Sequence, residues 1–156
     1  MESNFARRGG IVFGPLTAQK GAGTLREAIE RYPGARVRVV AERRDPRDLE
    51  SAAYLVLPAL SCDAVPPAVF RAFAYGLPVI ASRLAPLAEV IEPGRNGLLF
   101  EPGSARELAR RLAWADAFSE KMRQMGECAR ADYQARFIGQ WSYQTLFGER
   151  RRSARL

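Results

Sequence analysis

A chain of 156 residues is long enough for one domain that buries roughly two thirds of the surface its unfolded form exposes. Its composition, 47% hydrophobic and 26% charged, excludes a disordered or fibrous protein and favours a soluble globular domain. The net charge of +7 admits nucleic acid, an anionic membrane surface or a phosphorylated ligand as partner. No apolar run approaches the roughly 20 residues that a membrane-spanning helix needs.

Much of the basic excess lies at the C-terminus, where four arginines fall within the last seven residues. We interpret residues 148–156 as a solvated basic tail, with attraction to an anionic membrane surface as the second interpretation. Nucleic-acid binding ranks below both, because the tail lacks interleaved aromatic residues and a known motif. Arg7 and Arg8 are not followed by the apolar stretch of a secretory signal. The prediction is a cytoplasmic protein, with peripheral contact at the inner membrane face left open.

Cysteine and histidine content limits the chemistry that the chain can perform. Cys62 and Cys128 are far apart and form no C-x-x-C motif, so neither a metal site nor a disulfide framework is predicted. The chain contains no histidine, and Cys62 therefore lacks the base that usually activates a thiol nucleophile. We interpret Cys62 as a small buried residue, with a nucleophile as the less favoured alternative.

Apolar runs alternate with helical segments along the chain. Five runs are predicted as strands: residues 11–13, 37–40, 54–57, 78–81 and 97–100. They are apolar throughout, which is typical of strands that helices cover on both faces. The predicted fold is an α/β domain, a Rossmann-like doubly wound and mainly parallel sheet flanked by helices, with a helical C-terminus. No repeat or linker divides the chain, so residues 1–156 are predicted to form a single domain.

Capping residues and prolines mark the helix starts. Thr24 and Ser104, each followed by glutamate three residues later, fit the capping box, in which hydroxyl and carboxylate satisfy exposed backbone N–H groups. Asp45 before Pro46 predicts another start, and a helix opened by Pro67 is expected to run to Tyr75 and end at Gly76. The remaining predicted helices span residues 104–115, 118–137 and 140–147.

Two loops are candidates for ligand binding, because doubly wound sheets bind ligands where strands lead into helices at their carboxyl ends. In the first, residues 14–21, Lys20 adds a point charge beside helix amides that can face a phosphate. It matches neither the Walker nor the G-x-G-x-x-G pattern, so a plain surface turn is the alternative. In the second, residues 58–67, Asp63 is the only charged group and could accept hydrogen bonds from sugar hydroxyls. A turn cap is an equally weighted interpretation of Asp63.

Three stretches resemble the core signature of the large retaining family of GT-B glycosyltransferases, in its C-terminal donor-binding domain (glycosyltransferase family 4, glycosyl transferases group 1). They read LPAL at 57–60, RAFAYGLPVIAS at 71–82 and EVIEPGRNGLLFEPG at 89–103. The segments FGPL at 13–16 and QKG at 19–21 are similar to the family's first strand and loop, and residues 130–147 to its closing helices. The resemblance covers nearly the whole chain.

In that family a UDP-, GDP- or ADP-sugar is held by an arginine and a lysine on the diphosphate. Two glutamates separated by seven residues contact the sugar and the ribose. The resemblance implies that Lys20 is the lysine, stabilising the leaving diphosphate, and that Asp63 replaces the first glutamate and orients the sugar. The implied donor-binding set is Gly14, Lys20, Asp63, Ala64, Val65, Ala68, Val69 and Arg71. Transfer with retention and without a metal or other cofactor is implied as well.

This sequence departs from the family pattern at three positions. Pro15 stands where the family usually places arginine, and Arg71 stands where it places the second glutamate. A guanidinium has only donors and cannot accept hydrogen bonds from a ribose diol. Pro67 has no N–H to offer a phosphate. Two interpretations of Arg71 follow: it replaces the missing cation on the diphosphate, or it is a solvated helix residue.

Two segments of the family are missing. Thirteen residues separate Val40 from Tyr54, where the family usually inserts a helix, strand and loop that cradle the base, so the predicted sheet is one strand short. The N-terminal domain that binds the acceptor and supplies a histidine has no counterpart. The resemblance implies a hexosyl-type glycosyltransferase donor domain completed by an acceptor-binding domain, a partner chain or a second copy. The alternative is a degenerate GT-B-like binding module without turnover. Apolar surface at the face of the missing domain predicts self-association.

Overall fold

The structure is a computed structural model that describes residues 7–41 and 46–138. Within those two ranges, no helix combines the length and the apolar character needed to cross a membrane. The predicted cap at Asp45, the final helix at 140–147 and the basic tail at 148–156 lie outside the described residues.

Five parallel strands form one sheet in the order β2-β1-β3-β4-β5. The strands are β1 (Gly10–Gly14), β2 (Val37–Ala41), β3 (Tyr54–Leu57), β4 (Val79–Ser82) and β5 (Gly97–Phe100). All five predicted strands are confirmed to within one residue at each end. The chain leaves β1 for β2 on one side and then returns to β3 on the other side, so the strand order reverses between β1 and β3. Doubly wound sheets bind their ligands at such a reversal.

Six helices connect and follow the strands. They are α1 (Ala22–Arg31), α2 (Pro46–Ser51), α3 (Pro67–Ala74), α4 (Ala85–Val90), α5 (Ala105–Ala117) and α6 (Ser119–Tyr133), which ends in a π-helical turn (Gln134–Ile138). The sequence pattern does not predict α4. That helix has six residues and buries only Leu87, so it shows too little periodicity to be recognised.

Helices cover both faces of the sheet, as the continuous apolar runs predict. Leu55 lies in a core covered by α2, α3 and α4, whereas its neighbour Val56 lies in a core covered by α1 and α5. Side chains of α6 enter both cores, Ala129 on the first face and Met122 on the second. Because successive strand residues point to opposite faces, both positions have to be apolar.

The Ser104 capping box is confirmed, with one difference. The Ser104 hydroxyl accepts a hydrogen bond of 3.1 Å from the Glu107 amide and so caps α5. The Glu107 carboxylate accepts from the backbone N–H of Glu101 at 2.8 Å, three residues before the serine. The Glu107 side chain therefore also holds the turn that joins β5 to α5.

The Thr24 capping box is wrong. Helix α1 begins at Ala22, and its N-cap is Gly21, which has a left-handed backbone with φ of 92° and no side-chain cap. The amide of Leu25 already donates to the Gly21 carbonyl at 2.9 Å, so Thr24 lies buried inside the first turn. Gly21 turns the chain into α1 three residues before Thr24, because glycine adopts positive φ at little cost.

The predicted start and end of α3 are confirmed. Pro66 is extended and serves as N-cap, and Pro67 takes the first helical position, where its missing N–H breaks no helix hydrogen bond. The helix ends at Ala74, and Gly76 follows with φ of 75°. The amide of Gly76 donates to the Phe73 carbonyl at 2.9 Å, and the chain turns directly into β4.

Candidate functional site

The loops that follow β1 and β3 contact each other at the carboxyl edge of the sheet. The amide of Leu60 donates to the Gln19 carbonyl at 3.0 Å, and the Gln19 side-chain amide donates to the Ser61 hydroxyl. A Cβ atom at Gly21 would lie 2.0 Å from the carbonyl oxygen of Pro58, so glycine is required for this approach. The two loops predicted to bind ligand therefore form one surface at the reversal of strand order.

The first loop presents the Lys20 ammonium group to solvent. It leaves β1 at buried Gly14, through a cis peptide bond to Pro15. The backbone N–H of Lys20 is occupied within the turn, since it donates to the Thr17 carbonyl at 3.0 Å and to the Thr17 hydroxyl at 3.2 Å. Lys20 can therefore serve an anionic ligand through its exposed side chain.

The second loop presents a carboxylate and several backbone donors, because the amides of Asp63, Ala64 and Val65 have no backbone partner among the described residues. Asp63 and Ala64 are exposed, and Val65 packs against the core. At the start of α3, Pro67 has no N–H and the Val69 amide donates to the Pro66 carbonyl at 3.0 Å.

Among the described residues the Ala68 amide has no backbone partner outside its helix, and it is the free donor left in this turn. This helix N-terminus is therefore poorer in donors than the usual phosphate-binding one. Of the predicted donor-binding residues in this region, Ala64, Val65 and Ala68 have amides without a backbone partner among the described residues, and the Val69 amide is occupied.

Arg71 extends from α3 across the end of β1. Its guanidinium carbon lies 5.4 Å from the centre of the Phe13 ring, a cation–π contact with the fourth residue of β1. The Nη1 atom of Arg71 is buried and has no hydrogen-bond partner in the described part of the chain. The Arg71 side chain as a whole is partly exposed, so only part of its guanidinium is shielded from water, and the group lies at the reversal of strand order.

Cys62 is half-buried in the second loop and packs against the core. Burial raises the pKa of the Cys62 thiol, and the neighbouring Asp63 carboxylate raises that pKa further. Both effects keep the thiol protonated near neutral pH, which makes it a poor nucleophile. The interpretation of Cys62 as a packing residue agrees with this environment.

The candidate site is an open surface. Two cavities in the described ranges lie elsewhere: one of about 660 Å³ is lined by α3, α4 and the end of α6, including Phe70 and Asp132. The other, of about 1090 Å³, opens at the amino-terminal edge of the sheet beside Tyr54. Over residues 7–41 and 46–138, no three metal-ligating side chains converge.

The family model for glycosyl transferases group 1 matches residues 11–115, more than half of the 156 residues. HepE from Anabaena in complex with UDP and glucose is similar in structure, with a TM-score of 0.76 and 20% identity, covering 92% of this chain and 49% of HepE. Sucrose-phosphate synthase from Thermosynechococcus elongatus has a TM-score of 0.72 and 23% identity, covering 92% and 47%. No curated protein matches the sequence.

The C-terminal domain of the glycosyl transferase group 1 protein LpcC from Francisella tularensis has a TM-score of 0.65 and 17% identity, covering 83% of this chain and 84% of that domain. The chain therefore spans about half the length of HepE and of the synthase but most of an isolated C-terminal domain. These likenesses show a shared fold, the C-terminal half of a GT-B protein. With the match over residues 11–115, they show that the chain belongs to the glycosyl transferases group 1.

Proposed function

We propose that this chain is the donor-binding half of a retaining hexosyl-type glycosyltransferase and holds a nucleotide-diphosphate sugar on its two joined loops. The observation that carries the proposal is the contact between the loops at the reversal of strand order, which supports a shared surface for Lys20 and Asp63. The structure of HepE with UDP and glucose, which has the same fold, supports this class of ligand.

The two side chains would have different tasks in the transfer. When the bond between the anomeric carbon and the diphosphate oxygen breaks, its electron pair leaves with the diphosphate, and the Lys20 ammonium stabilises that charge. Asp63 accepts hydrogen bonds from the sugar hydroxyls and orients the ring. The acceptor oxygen bonds to the anomeric carbon on the same face, and its proton passes to the departing diphosphate. No metal or cofactor takes part in this proposal.

A second domain, a partner chain or a second copy would complete the site by binding the acceptor. The chain spans about half of HepE, and its candidate site is open. Because the chain has no histidine, any imidazole in the reaction would come from that partner.

Calorimetric titration with UDP, GDP, ADP and their glucose conjugates tests the proposal. We expect saturable binding of at least one nucleoside diphosphate and of its sugar conjugate. The missing amide hydrogen of Pro67 and the occupied amide of Val69 instead favour a degenerate module that has lost its donor. Absence of heat with all six ligands would support that second candidate and contradict the donor-binding function of the chain.

Replacing Lys20 with methionine is expected to weaken nucleoside diphosphate binding about tenfold, the usual loss for an exposed charge-assisted contact. The chain offers a matched control, since Lys121 is also an exposed lysine but lies on α6, distant in sequence from both loops. Lys121→Met should leave the dissociation constant unchanged. Equal binding by wild-type protein and Lys20→Met would remove Lys20 from the site.

A further inference from the structure

We propose that Arg71 is the main cation for the donor's diphosphate, so that this site recognises the diphosphate more strongly than the ribose. The inference rests on the proposed function and specifies how the ligand is held. Three observations support it: the environment of the guanidinium, the loss of two amide donors at the start of α3, and the absence of a carboxylate on α3.

The Arg71 guanidinium lies in a position that suits an anion. Its Nη1 atom is buried without a hydrogen-bond partner among the described residues, and the contact that holds the group is the face of the Phe13 ring. Arg71 is partly exposed, but a buried N–H group without an acceptor is unfavourable, and a ring face compensates only part of that cost. A diphosphate supplies oxygens that match the fork of the guanidinium.

Arg71 also replaces donors that the helix cannot supply. In doubly wound proteins the phosphate is commonly bound by amides at a helix N-terminus. Here Pro67 has no amide hydrogen, and the Val69 amide is occupied by the Pro66 carbonyl. A cation from the second turn of the same helix reaches the adjacent end of β1, where Phe13 lies. At the start of α3 the diphosphate would therefore be held by side chains, Arg71 and exposed Lys20, more than by helix amides.

Helix α3 offers no acceptor to a ribose. It contains no acidic residue, and the carboxylate of the preceding loop is Asp63, which we assign to the transferred sugar. A guanidinium has only donors and cannot accept the hydrogen bonds of a vicinal diol. Removal of the 2′-hydroxyl should therefore cost little. We expect UDP and 2′-deoxy-UDP to bind with dissociation constants within about threefold of each other.

The test uses Arg71→Met, which keeps an unbranched apolar chain over Phe13 but removes the charge. We expect affinities for UDP and for inorganic pyrophosphate to fall tenfold or more by calorimetry. Arg71→Glu should lose at least as much, because it places a negative charge beside the diphosphate. The matched control is Arg106→Met on the exposed face of α5, which should bind as wild type does.

Thermal unfolding without ligand separates this role from packing. If the guanidinium serves to bind an anion and does not stabilise the fold, Arg71→Met should melt at the same temperature as wild type or higher. A marked decrease would mean that Arg71 stabilises the fold, and it would overturn the inference. Tighter UDP binding by Arg71→Glu, unchanged binding by Arg71→Met, or a clear preference for UDP over 2′-deoxy-UDP would also overturn it while the proposed function stands. Failure of wild-type protein to bind any nucleoside diphosphate would reject both.

Discussion

Alanine at position 21 is expected to destabilise the protein by about 3 kcal/mol and to weaken ligand binding at the two loops. Gly21 has φ of 92°, where a side chain costs on the order of 1 kcal/mol or more. The added Cβ would also lie 2.0 Å from the Pro58 carbonyl oxygen, which belongs to backbone and can yield only if the β3 loop moves. Such overpacking typically costs about 1–3 kcal/mol. Urea denaturation of Gly21→Ala measures the combined loss in the free energy of unfolding.

The chain supplies a matched control two residues away. Gly23 lies in the first turn of α1 with nothing within 4 Å of an added Cβ, and its φ is not positive. Gly23→Ala should therefore stabilise the protein by about 0.5–1 kcal/mol, since alanine favours the helix and restricts the unfolded chain. A loss below about 1 kcal/mol in Gly21→Ala would show that contact between the loops does not depend on this glycine.

The second large effect is expected at Asn96, whose replacement with alanine should cost about 3 kcal/mol. Asn96 is 2% exposed and lies in the turn that leads into β5. Its Oδ1 atom accepts from the Glu92 amide at 2.8 Å, and its Nδ2 atom donates to the Val90 carbonyl at 3.1 Å and to the Asp132 carboxylate at 2.8 Å. Each lost hydrogen bond costs about 1 kcal/mol when its partner stays unsatisfied.

Two variants calibrate this measurement. Asp132→Ala removes one of the three Asn96 contacts together with an ion pair to Arg95 that is partly exposed, so about 1 kcal/mol is expected. Lys121→Ala changes an exposed residue of α6 and should stay within about 0.5 kcal/mol of wild type. If Asn96→Ala were no more destabilised than Asp132→Ala, the two backbone contacts would add nothing to stability.

Elements with local signals could be predicted from sequence. The five strands are apolar runs bounded by turn residues, and the start of α5 has a serine cap with glutamate three residues later. The prolines before α3 act on their own backbone in any context. The Thr24 box failed even though its pattern is the same, because a glycine three residues earlier reverses the chain. A capping box predicts the start of a helix only when no neighbouring residue begins that helix earlier.

The features of the candidate site likewise fall into two groups: those that the sequence predicts and those that only the structure shows. Lys20 and Asp63 could be proposed from sequence, because each lies in a loop that follows a strand, and the family motifs align there. The contact of Arg71 with Phe13 leaves no pattern in sequence, since it depends on which strand lies beside α3 after folding. The occupied Val69 amide and the bond between Leu60 and Gln19 are equally invisible before the fold is known.

The sequence by itself determined the strand positions, the family and the residue types available to a ligand, because these follow from backbone preferences and side-chain chemistry. Only the tertiary structure decided that the two loops meet, that the Val69 amide is occupied and that the Arg71 Nη1 atom is buried without a hydrogen-bond partner among the described residues. These properties arise when residues distant in the sequence pack together and exclude water. A polar group without a partner destabilises the protein only after that packing has buried it.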